Sequence, residues 1–242
     1  MPIPPYVREV GSFLPSPAKP LPDELETFMA SSGNNGVILV SFGSMLDKLD
    51  NNVLEVMNKA FSKVQQKVIW KINTDVYEGK LASNIKTTRW LPQNDILGHE
   101  KTKLFITHAG ANGIAEAAYH GVPMICSPFF GDQFDNSRNI EYIGLGEILS
   151  VKTATVEQLV GIINQVINEK RYKERALHIS KTIKMRPRTP VQEAAELIEY
   201  VHAVGNLAHL KPKGLDLPFY QLYMLDVWLV LGVVLVLVLV ID

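Results

Sequence analysis

The chain is poor in the features that would place it in several large classes of protein. It has one cysteine, Cys126, in 242 residues, so no internal disulfide can form. It has no basic excess: 24 Lys and Arg stand against 25 Asp and Glu, a formal net charge of -1, which argues against nucleic acid as a partner. No Gly-x-x-x-x-Gly-Lys-Ser/Thr segment occurs, and no Gly-x-Gly-x-x-Gly follows the first strand-like run, which argues against P-loop and dinucleotide chemistry. His99, His108 and His120 lack metal-like spacing with a carboxylate or thiol partner. The N-terminus is interrupted by Pro2, Pro4 and Pro5 and has no apolar core of a signal peptide. There is no Asn-x-Ser/Thr acceptor, so glycosylation gives no clue to compartment.

One long hydrophobic run is present. From Leu222 to Ile241 only Asp226 is charged. A spanning helix needs about 20 apolar residues, so 222–241 is expected to be a transmembrane helix and the protein a single-pass membrane protein. The alternative is a buried strand, because the run is rich in valine. Lys211 and Lys213 precede the run and no basic residue follows it. The charge rule would then put the soluble part in the cytosol.

Between these ends, strand and helix signals alternate. Residues 1–22 are proline-rich and read as an irregular lead-in or linker. Apolar runs at 37–42, 67–72, within 85–91, 103–107, 122–128 and 146–151 read as strands. Helical spacing covers 25–29, 52–64, 113–120, 133–143, 155–168, 172–184 and 191–208. Alternation of this kind predicts an α/β fold, a parallel sheet with helices on both faces. Ligands bind such sheets beyond the carboxyl ends of the strands, so the residues at those ends are the candidates.

Five clusters fall there. Ser44 ends the first strand and could bond a phosphate or cap a helix. Trp90 offers a flat face for a nucleobase, and Gln93 can donate and accept to base or ribose. Equally, the tryptophan could pack under its loop, with Asp95 capping a short helix. The loop from His108 to Gly113 is built of small residues and opens a helix, whose unpaired N–H groups and dipole favour an anion such as a diphosphate. It serves as well for a tight turn capped by Asn112. Glu116 shares a helix face with Asn112 and could accept from a pair of ribose hydroxyls, or could be a solvated helix residue favoured by the dipole. Asp132 and Gln133 could hold two sugar hydroxyls, or Asp132 could be an N-cap.

Together the stretches FGS (42–44), WLPQNDILGH (90–99), FITHAGANGIAEAAYHGVPMICSPFFGDQFDN (105–136) and, more loosely, LDVW (225–228) resemble the UDP-glycosyltransferase family, best known for the UDP-glucuronosyltransferases. The resemblance implies the C-terminal half of a GT-B fold, Rossmann-like, with the donor-binding domain at 23–215 ahead of the anchor. It implies transfer of a glucuronosyl or hexosyl group from a UDP-sugar to a small lipophilic acceptor, with inversion and without a metal. By matching position, Trp90 and Gln93 would meet the base. Ser44, His108, Asn112 and Gly113 would surround the diphosphate, Glu116 would bind the ribose, and Asp132 with Gln133 would hold the sugar. Ala109 and Lys71 depart from the family: many members have Gly at the first position, and many glucuronosyltransferases have Arg at the second. The family's catalytic base, a His paired with an Asp, belongs to an N-terminal acceptor domain without a counterpart here, which leaves His108 a leaving-group role. The family also implies the endoplasmic reticulum, soluble domain lumenal, against the charge rule. Two other readings stay open: a non-catalytic UDP-sugar-binding or regulatory partner, in homo- or hetero-oligomers with full-length members, and a nucleotide-sugar epimerase.

Overall fold

The computed structural model describes residues 7–43, 49–72, 79–207 and 210–241. The chain divides into two compact units, one of Ser12–Pro187 and one of Met1–Gly11 with Arg188–Asp242.

The larger unit is built on β1 (Val37–Ser41), β2 (Lys67–Lys71), β3 (Ile85–Thr88), β4 (Thr102–Thr107), β5 (Met124–Cys126) and β6 (Gly146–Ile148). All are parallel, in the order β3-β2-β1-β4-β5-β6. Every residue of β1 is buried, as expected of a central strand covered on both faces. Its side chains alternate between two cores. Val37 and Leu39 join Met29 of α1 (Asp23–Ala30), Ala117 of α4 (Ala111–His120) and Ile140 of α5 (Gln133–Tyr142). Ile38 and Val40 join Leu54, Met57 and Phe61 of α2 (Asn51–Phe61) and Leu159 and Ile163 of α6 (Val156–Asn168). α7 (Lys170–Lys184) gives Tyr172 to the second core and Ala176 to the first. The period of 2 in the strand thus assigns one helical layer to each face. Cys126 is wholly buried, and burial pushes its thiol up to about 12.

The strand order reverses between β1 and β4, and α4 starts just beyond that point. Its far end is set by Gly121 at φ 68, in the left-handed region that glycine enters without cost. α3 (Gln93–Gly98) is too short for its spacing to show in the sequence. It does not use Asp95 as a cap. Asp95 lies inside the helix, and its Oδ1 accepts from the Lys19 N–H at 3.0 Å. Asn94 Nδ2 donates to the Ser16 carbonyl at 3.1 Å, so α3 holds the lead-in segment against the sheet domain.

The smaller unit carries α8 (Pro190–Val204), whose N-terminus is closed by a reciprocal pair. Thr189 Oγ1 accepts from the Gln192 N–H at 3.2 Å, and Gln192 Oε1 accepts from the Thr189 N–H at 2.9 Å. It continues through a 3-10 turn at Lys213–Asp216 to α9 (Phe219–Leu222) and α10 (Leu225–Ile241).

The expected transmembrane helix at 222–241 is corrected here. The apolar run is helical rather than a strand, but Met224 adopts φ 54 and separates α9 from α10. The remaining helix has 17 residues, about 25 Å at 1.5 Å per residue against a hydrocarbon core of about 30 Å. Among the described residues no helix is long and apolar enough to cross a membrane.

Candidate functional site

A cavity of about 400 Å³ opens at the carboxyl ends of β1, β2 and β4, where the strand order reverses. Its centre is His108, the first residue after β4. The Cε1–Nε2 edge of the imidazole packs against two glycines. A methyl group on Gly43 would lie 2.9 Å from the ring, and one on Gly110 would lie 2.5 Å from Nε2. Gly43 also has φ 82, so both space and backbone call for glycine there. Nδ1 is buried. Burial holds the imidazole below its ordinary value, a backbone hydrogen bond with Ser41 and the Asp132 carboxylate oppose it, and Lys71 adds to the fall, so the balance favours the neutral ring.

Behind His108, Ala109 takes φ 63, rare for a residue with a Cβ. Asn136 Nδ2 pins it by donating to the Ala109 carbonyl at 3.1 Å, and also donates to Asp132 Oδ2 at 2.8 Å. The only local sign of this brace is the four-residue spacing of Asp132 and Asn136. α4 then begins at Ala111 with Gly110 as its N-cap and no side chain on its first N–H groups. Asn112 is exposed within that first turn and does not cap the helix. These N–H groups therefore face the cavity without a side-chain acceptor, at the positive end of the helix dipole.

On the other side, Gln93 opens α3, and its Nε2 donates to Glu116 Oε2 at 2.5 Å. Burial raises the Glu116 carboxyl, and the bond from Gln93 offsets part of that rise. Gly113 lets the two approach: a Cβ there would sit 3.3 Å from the Phe105 ring and 3.5 Å from Gln93 Nε2. Lys71 lines the cavity from the end of β2 and donates to the Gly43 carbonyl at 3.3 Å.

The cavity brings together Gln93, His108, Asn112, Gly113 and Gln133 of the residues picked out in the sequence, and Glu116 reaches it through Gln93. Gln133 is only 4% exposed, and its Oε1 accepts from the Phe129 and Phe130 N–H groups at 2.9 and 3.2 Å. Asp132 is exposed at the N-cap position of α5, where its carboxylate meets Asn136 rather than a helix N–H. Trp90 is 73% exposed and does not line the cavity. Ser44 lies outside the described residues.

Fold and cavity together define a parallel, Rossmann-like α/β domain with its recess at the switch point of the sheet. Residues 1–242 match the family described as UDP-glucoronosyl and UDP-glucosyl transferase, and the chain belongs to that family. It is 42% identical over 228 residues to UDP-glucuronosyltransferase 3A1 of Bos taurus, covering 93% of this chain and 44% of that one. It is 42% identical to UDP-glucuronosyltransferase 2B13 of Oryctolagus cuniculus over 230 residues, covering 93% of this chain and 42% of the relative. The chain therefore spans less than half the length of the curated relatives it matches. Among solved structures, a UDP-glucose: anthocyanidin 3-O-glucosyltransferase in complex with UDP aligns with TM-score 0.66 and 24% identity, over 76% of this chain and 44% of the other. The glycotransferase of kitacinnamycin aligns with TM-score 0.62 and 26% identity, over 69% and 43%. The sheet thus matches one part of the GT-B architecture of these enzymes.

Proposed function

We propose that this chain forms the donor pocket of a UDP-sugar-dependent glycosyltransferase that transfers a glucuronosyl or hexosyl group, with inversion, to a small lipophilic acceptor. The observation that carries the reading is the convergence of the uncapped α4 N-terminus, the neutral His108 imidazole and Lys71 on one cavity at the sheet's switch point. The three supply donors and positive charge without a metal, which is what a diphosphate leaving group requires. In this reading the bond between the anomeric carbon and the β-phosphate oxygen breaks, and its electron pair leaves with UDP. The oxygen of the acceptor bonds to the opposite face of the anomeric carbon. Its proton goes to a base of the acceptor domain that the resemblance implies.

The remaining roles follow the chemistry of each group. Glu116 is the acceptor for ribose hydroxyls, with Gln93 shared between it and the nucleoside. Asn112, Gly113 and Ser44 border the phosphates, Asp132 and Gln133 the sugar, and the open face of Trp90 is free to stack on uracil. The endoplasmic reticulum is kept as the compartment on the family resemblance alone.

Calorimetric titration of the chain with UDP, UDP-glucuronate, UDP-glucose and UDP-N-acetylglucosamine tests the reading. Saturable binding of UDP, and of at least one UDP-sugar, is expected. Absence of binding to all four ligands would sink it.

A further inference from the structure

A second cavity, of about 280 Å³, lies at the opposite end of the sheet from the donor pocket. Lys103, near the start of β4, and the first residues of α7 line it. Along β4 the separation from His108 is five residues, about 17 Å at 3.3 Å per residue. Val166 and Ile167, from the last turn of α6, give it an apolar wall.

Its charge is one-sided. Lys103, Lys170 and Lys173 line it against a single carboxylate, Glu174, which leaves two positive charges in excess. Lys173 donates to the Gly121 carbonyl at 2.6 Å, and Lys103 and Lys170 have no ion pair among the described residues. The stem of Lys103 is set in place by Gly36, where a Cβ would come within 2.5 Å of Lys103 Cγ. α7 starts at this cavity with no side-chain cap and no acid in its first turn. Cations at a helix N-terminus work against the dipole, so the sequence concentrates positive charge where the backbone already provides it. Burial, with repulsion from Lys103, lowers the Lys173 ammonium from its ordinary value.

We propose that this cavity binds a phosphate monoester carrying an apolar chain. A phosphate monoester near pH 7 bears a charge of about -1.5 to -2, which matches the excess of two ammonium groups; a carboxylate would leave one uncompensated. Val166 and Ile167 take the start of the chain, which inorganic phosphate cannot use. The site is independent of the donor pocket and of the reading given to it.

The probe is octyl phosphate, titrated by calorimetry into the full chain below the concentration at which it aggregates. One saturable site is expected, with affinity falling as salt rises, and about tenfold weaker or more in the Lys103→Gln/Lys170→Gln double variant. Lys71→Gln, in the donor pocket, serves as the control and should bind octyl phosphate as the wild type does. Both variants are checked by thermal melting, where removal of the lysine repulsion is expected to leave Tm unchanged or raised. Octyl phosphate should also raise the wild-type Tm more than inorganic phosphate does. The proposal is overturned by any of three results: no saturation in the wild type, equal affinity in the double variant, or a loss that follows Lys71→Gln instead. Inorganic phosphate binding as tightly as octyl phosphate would also overturn it, by removing the role of the apolar wall.

Discussion

Gly110→Ala puts the packing of His108 to a direct test. Gly110 has φ -69, so alanine meets no backbone strain there. The new Cβ would lie 2.5 Å from His108 Nε2, 3.0 Å from Cε1 and 3.4 Å from Cδ2. Ordinary carbon contacts begin near 3.5 Å, so the near edge of the ring must retreat by about 1 Å. Gly43 lies against the same Cε1–Nε2 edge of the ring, so that edge has little room to move along the loop. Either the ring stays and is overpacked, or it swings into the cavity and occupies space meant for phosphate. Overpacking costs about 1–3 kcal/mol, which is about 5- to 150-fold in an equilibrium constant. Thermal melting reads the first outcome and calorimetry with UDP reads the second, and the two losses together should amount to that range. Removing the ring should abolish the effect. His108→Ala/Gly110→Ala should differ from His108→Ala only by the cost of alanine at an N-cap, up to about 1 kcal/mol. Gly161→Ala is the matched control: it sits within α6 with nothing near the added methyl, so it should add about 0.5–1 kcal/mol of stability and leave UDP binding alone. If Gly110→Ala leaves both Tm and UDP affinity at wild-type values, the packed ring is not the element that shapes this pocket.

Two further outcomes can be checked on the same preparations. His120 is held by burial, with Lys184 adding to it, at about 4 rather than 6.5. The unfolded chain then binds the proton first, so its stabilising effect is complete above pH 6.5 and is lost as pH falls toward 4. His120→Gln, which keeps an amide near Asn94 Oδ1, should flatten the fall of Tm between those values, and an unchanged slope would refute the assignment. Glu116→Gln should weaken UDP by less than about tenfold, because the nucleoside replaces the bond from Gln93 and gains only the difference between two bonds. 2'-Deoxy-UDP should bind the wild type less well than UDP does and the variant about equally; an equal loss in both proteins removes Glu116 from the ribose.

The fold was legible because its sheet is buried on both faces. A parallel strand covered by helices has to be apolar throughout, and Val37–Ser41 carries that pattern plainly. The helices were legible through their spacing, down to α3, whose six residues are fewer than two turns. The site was legible only as an address. Residues at strand ends could be named, but their partners depend on contacts distant in sequence. Asp95 looked like a cap and instead meets Lys19. Gln133 looked like a sugar ligand, and its amide oxygen is engaged by its own loop. Asn136 braces Ala109 across 27 residues, a contact that its spacing from Asp132 does not announce. The apolar tail failed for a different reason. Hydropathy measures how far a run extends, whereas the break at Met224 is a single backbone angle on an ordinary residue, and composition does not record it.

The polar groups of the pocket are not all idle in the free protein, and this bears on what a ligand can gain. Glu116 already accepts from Gln93 through one carboxylate oxygen, and Gln133 already accepts two N–H groups. A nucleoside that reaches Glu116 must share or displace the bond from Gln93, so its net gain is the difference between two bonds, not the worth of one. Among the described residues, the groups of the pocket left without a side-chain acceptor are the first N–H groups of α4. Free energy is therefore concentrated at the phosphate end, where unmet donors become satisfied. The ribose end exchanges like for like, and so contributes selection more than affinity. UDP and UMP separate the two ends. Loss of the β-phosphate should cost more affinity than loss of the 2'-hydroxyl, and the reverse order would place the binding energy on Glu116 instead.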